Sequence, residues 1–80
     1  MIPPKEVIKA AGELVELYGS RFKYLGKLED EDVFMFCFPD NEKTGYPFIY
    51  LYAVDGYVKE INGEECFDII QTCRRIRRIQ

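Results

Sequence analysis

Val33-Phe34-Met35-Phe36-Cys37-Phe38 contains no polar side chain, and Phe48-Ile49-Tyr50-Leu51-Tyr52-Ala53-Val54 has none beyond two tyrosine hydroxyls. Successive side chains of a strand point to opposite faces. Both segments therefore read as strands that are apolar on two sides. Alternation sorts them by chemistry. Phe34, Phe36, Phe38, Phe48, Tyr50 and Tyr52 fall on an aromatic face, and Val33, Met35, Cys37, Ile49, Leu51 and Ala53 on an aliphatic one. A sheet with two apolar faces needs cover on both, and that demand organises the rest of the chain.

Outward from this centre, Arg21 to Glu29 alternates. Phe22, Tyr24 and Leu28 point one way, and Arg21, Lys23 and Lys27 the other, as in a half-solvated edge strand. Leu25 falls on the aliphatic face. Glu29-Asp30-Glu31-Asp32 reads as the turn into the central strand, and Pro39 to Gly45 as a polar loop rich in turn formers. Asp55-Gly56 is a two-residue hairpin signal. It leads into a short fourth strand, Tyr57 to Ile61, with Val58 on the aliphatic face.

Helices flank these strands. Pro3-Pro4 suit a first helical turn. Val7, Ala10, Ala11, Leu14, Leu17 and Tyr18 recur at helical spacing, and Gly19 follows as a stop. The spacing predicts one helix over residues 4–18. Asn62 with Glu65 forms a capping box, after which Cys66, Ile69, Ile70, Cys73 and Ile76 share one stripe.

The expected fold is α+β in a single domain over residues 1–80. It is an antiparallel meander of three to four strands flanked by N- and C-terminal helices, in the order α-β-β-β-β-α. The small Ala10-Ala11 step suits packing on large rings, so both helices are expected on one face, the aromatic one. The aliphatic face is then left open and is larger than a monomer usually exposes. It is expected to pair with a second copy through Val33, Met35, Cys37, Ile49, Leu51 and Val58.

This element order is similar to that of double-stranded-RNA-binding domains, whose RNA contacts include lysines at the start of the second helix. Here that position reads Asn62-Gly63-Glu64-Glu65-Cys66-Phe67-Asp68, which is acidic. The likeness covers element order alone, and the function is not carried over.

Charge is distributed unevenly. Residues 1–73 hold seven Lys/Arg and fourteen Asp/Glu, a balance of −7, and the four arginines Arg74, Arg75, Arg77 and Arg78 bring the chain to −3. A body of this sign repels nucleic acid and anionic membranes. The arginine tail is the segment that could grip phosphates or an acidic partner, and it also complements a helix C-terminus.

No catalytic constellation stands out. The chain has no histidine, the commonest general base, and its single serine, Ser20, sits at a helix-to-strand junction. Three cysteines without a CxxC pair imply neither a disulfide framework nor a zinc site. Free cysteine more often behaves as a small buried hydrophobe. Glu29 to Asp32 lacks the ligand spacing of a calcium loop, and no Gly-rich phosphate motif occurs. No enzymatic activity, cofactor or metal is expected. The N-terminus shows no signal-peptide pattern, and no apolar stretch approaches the roughly 20 residues of a membrane span. The expectation is a cytoplasmic protein acting through protein–protein contacts as a homodimer, the alternative being a regulatory binding module whose arginine-rich tail docks nucleic acid or an acidic partner.

Overall fold

A computed structural model describes residues 3–39 and 47–79, with side chains through Ile76. The elements are α1 (Lys5–Ala11), α2 (Glu13–Tyr18), β1 (Phe22–Leu28), β2 (Glu31–Phe36), β3 (Ile49–Tyr52), β4 (Val58–Ile61) and α3 (Glu65–Ile79). The strands form one antiparallel sheet in the order β1-β2-β3-β4. The expected α+β meander with flanking helices is therefore what forms. The loop expected between the two apolar strands falls largely on residues 40–46, outside the described residues.

The first helix is broken in two. Gly12 adopts φ 44 and ψ −106, outside the helical region. Its amide still donates to the Ile8 carbonyl, and its own carbonyl accepts from Val15 and Glu16. The chain thus stops one helix and starts the next at a single residue, a geometry that suits glycine. Gly19 ends α2, with its N–H on the Val15 carbonyl at 2.8 Å.

The β1–β2 turn is tighter than the acidic run suggests. Only Glu29 and Asp30 form it, at φ 49 and 68, the positive pair of a two-residue hairpin loop. Glu31 and Asp32 belong to β2. The β3–β4 loop is longer than two residues. Gly56 N–H donates to the Ala53 carbonyl and Ala53 N–H to the Tyr57 carbonyl, with Gly56 at φ 91. That is a three-residue loop closed by a left-handed glycine. The expected capping box does not form, because α3 begins at Glu65, which leaves Asn62 ahead of the turn at Gly63-Glu64; the Asn62 side-chain amide donates to Glu60 Oε1 at 3.4 Å.

A bulge in β1 decides which residues share a face. Tyr24 pairs with Phe34 but Gly26 pairs with Val33, leaving Leu25 as an extra residue. Pairing parity flips there. Phe22 and Tyr24 therefore lie with the aromatic cluster, while Leu25 and Leu28 both join the aliphatic one.

The helices take opposite faces. On the aromatic face, Val7 and Ala11 of α1 pack with Phe34, Phe36 and Tyr50. Edge-to-face ring pairs extend this cluster, with centroids 5.3 Å apart for Phe22–Phe36 and for Tyr18–Phe38. Tyr52 donates its hydroxyl to Glu6 Oε2 at 2.9 Å, tying α1 to β3. On the aliphatic face, Cys66 and Cys73 of α3 pack with Leu25, Val33, Ile49, Leu51 and Ile61. The expectation of both helices on one face is thus corrected. Ile61 is part of this aliphatic core, and the turn at Gly63 (φ 77) leads from it directly into α3. A helix there meets the demand for two-sided cover within the chain.

Candidate functional site at the corner of strand one and helix three

The cross-strand row Lys23–Met35–Ile49–Ile61 runs across the aliphatic face at one end of the sheet. Helix α3 crosses above it. Ile49 and Ile61 are buried beneath it, but a cleft remains toward β1. The cleft is lined by Lys23, Leu25, Met35, Ile70 and Arg74, and its volume is about 140 Å³. Its floor is apolar: Leu25 comes from the bulge, Met35 from β2 and Ile70 from α3. Lys23 on β1 and Arg74 on α3 are both exposed and stand at its walls. No acidic side chain is among the lining residues.

The residues expected to form an open interface separate into three groups. Val33 and Ile49 are fully buried and Leu51 is 8% exposed, all beneath α3. Their surface is already used inside the chain. Met35 and Cys37 are half-buried; Met35 packs at the margin of that core, and the Cys37 thiol lies 3.8 Å from the Met35 carbonyl oxygen. Val58 belongs to the other face, where it sits opposite Tyr52 and packs on the aromatic cluster. Of the basic tail, Arg74 and Arg75 are exposed on α3. The side chains of Arg77 and Arg78 lie outside the described residues.

Met35 and Arg74, read from the sequence as parts of two different surfaces, therefore meet in one cleft. Lys23, Leu25 and Ile70 complete it. Lys23 reads from sequence only as the wet side of an edge strand, and Ile70 only as helix core. The available signal was Gly26, because a glycine inside a strand marks a bulge.

The cysteines differ in burial, Cys37 being half-buried and Cys66 and Cys73 buried. Cys66 is fully buried, with its thiol 3.1 Å from the carbonyl oxygens of both Pro47 and Ile61. Burial pushes this thiol up, and the nearby Glu65 carboxylate pushes it the same way. Cys73 is 4% exposed. All three cysteines are free thiols. Among the described residues no three Cys, Asp or Glu side chains come together as a metal-binding group, and no helix is long and apolar enough to cross a membrane.

Comparison with known protein families, curated proteins and solved structures returns no match. The cleft is therefore interpreted from its own chemistry.

Proposed function

We propose that this chain is a non-catalytic interaction module of the cytoplasm that acts through protein–protein contacts. We place its docking surface at the β1–α3 corner. The observation that carries this reading is a cleft whose apolar floor, buried Leu25 with half-buried Met35 and Ile70, is lined also by two exposed cations. Buried anchors inside a polar rim are the usual anatomy of a protein interface. The three free thiols suit a reducing compartment.

The corner replaces the open aliphatic face as the contact surface, because α3 occupies most of that face. It also absorbs the role considered for the basic tail, since Arg74 is part of it.

The test is comparative capture from a host extract. Wild-type protein, Met35→Asp and the control Val54→Ser serve as baits, each first checked for folding by far-ultraviolet circular dichroism. Val54 is 88% exposed on the remote β3–β4 loop. A partner held by wild type and by the control, but lost from Met35→Asp, supports the docking surface. Equal recovery on all three baits refutes it. If Met35→Asp fails to fold, the milder Met35→Thr takes its place.

A further inference from the structure

We infer that the partner of the β1–α3 corner presents an acidic peptide segment carrying one apolar side chain. The inference rests on the proposed docking surface and names the chemistry that surface recognises.

Charge selects the segment. Residues 1–73 of this chain sum to −7, so its general field repels acidic partners. The corner is a local exception. Lys23 from β1 and Arg74 from α3 line one cleft that has no carboxylate in its lining. Two cations beside an apolar floor suit a chain whose carboxylates flank an apolar anchor. Arg74 can take a carboxylate in a two-pronged contact, while Lys23 serves as a point charge on a flexible stem. The stems of both side chains add apolar cover to the cleft.

Volume sets the anchor. A cleft of about 140 Å³ is close to the roughly 150 Å³ that accommodates a benzene-sized group. That is room for one leucine, valine or phenylalanine side chain. Met35 forms part of the floor, and its unbranched thioether adapts to differently shaped apolar groups. The cleft is therefore selective for acid around the anchor and tolerant of the anchor's shape.

The same chemistry disfavours a nucleic acid. Single-strand binders stack bases on aromatic side chains along a cationic groove. This floor is aliphatic and thioether, and the clustered rings, Phe22, Tyr24, Phe34, Phe36 and Tyr50 among them, lie on the other face of the sheet with α1.

The experiment is a titration of full-length, isotope-labelled protein, followed by nuclear magnetic resonance. Three heptapeptides serve as probes: leucine flanked on each side by three glutamates, the same peptide with central alanine, and leucine flanked by lysines. An oligothymidylate is the fourth probe. The expected result is saturable shifts at Lys23, Leu25, Met35, Ile70 and Arg74 with the first peptide. Its affinity should exceed that of the alanine and lysine peptides by about tenfold or more. The double reversal Lys23→Glu with Arg74→Glu should transfer the preference to the lysine peptide, a gain that a merely unfolded variant does not produce.

Four results overturn the inference. They are absence of shifts at these five residues at millimolar peptide, no preference for acid, an equal response to oligothymidylate, and concentration-dependent shifts at the same residues without peptide. The last would make a second copy of this chain the occupant. If the acidic peptide does not bind while Met35→Asp still loses a captured partner, the peptide chemistry fails and the docking surface stands. If the peptide binds but no partner depends on Met35, the docking reading fails on its own.

Discussion

Ile49→Ala tests whether α3 of the same chain covers the aliphatic face. Ile49 is fully buried, with Met35 and Ile61 as its cross-strand neighbours and α3 above. The substitution removes three carbon atoms, worth about 2.4 kcal/mol at about 0.8 kcal/mol each. The cavity left behind adds to this, for an expected loss of about 3 to 4 kcal/mol. A domain of this size has about 4 to 12 kcal/mol in total, so the variant sits near the edge of stability. The assay is urea unfolding of wild type and variant at two protein concentrations roughly a hundredfold apart. Cover by α3 is intramolecular, so the urea midpoint of each protein should be the same at both concentrations. A loss below about 1 kcal/mol would show that Ile49 is not in a packed core. A wild-type midpoint that rises with concentration would mean that a second chain covers it. Either result refutes the placement of α3.

Three further outcomes follow from particular residues. Gly12→Ala is expected to destabilise by about 1 kcal/mol or more in thermal or urea unfolding, because φ 44 with ψ −106 is strained for alanine; an uninterrupted helix would instead be stabilised by roughly that amount. In native protein, a thiol reagent should label the half-buried Cys37 first, with Cys66 and Cys73 reacting only on unfolding; fast labelling of all three would contradict their burial. Burial, reinforced by Glu60, pushes the Tyr50 hydroxyl up to about 12, so the native state holds this proton to higher pH than the unfolded state does. The stability this contributes is complete below about pH 10, the ordinary tyrosine value, and is lost as pH rises toward about 12. Tyr50→Phe should flatten that alkaline decline, and a decline as steep as that of wild type would exclude Tyr50 as its source.

Much of the fold is legible in the sequence because period-2 and helical patterns are strong where residues are buried. The two apolar runs around Phe34 and Tyr50 specify central strands, and Val7 with Ala11 specifies a helix that packs on rings. What fails to show is conformation carried by single residues. Gly12 looks like a tolerated helical glycine, yet it separates α1 from α2. Gly26 looks like a gap in an edge strand, yet it accompanies the bulge that turns Leu28 to the aliphatic side. The helical stripe of Cys66, Ile69, Ile70 and Cys73 was readable, but a stripe says only that a helix buries one side. Which face of the sheet receives it depends on the turn after Ile61, and the stripe carries no information about that turn.

The cleft follows from that same placement. A fifteen-residue helix, α3, is about 22 Å long at 1.5 Å per residue. Four strands at about 4.8 Å spacing form a sheet roughly 14 Å across between outer strand axes. One helix is about 10 Å wide, so it cannot cover the whole aliphatic face, least of all along β1 and β2, which are seven and six residues long. Ile49 and Ile61 are buried, while Met35 is only half-buried. The uncovered corner lies where α3 approaches its arginines and where β1 carries Lys23. An apolar opening bounded by cations is therefore the direct result of spanning this sheet with one basic-ended helix. Lengthening the apolar cover at that corner, as in Lys23→Leu, should close the cleft and abolish any partner's charge preference while leaving the fold intact.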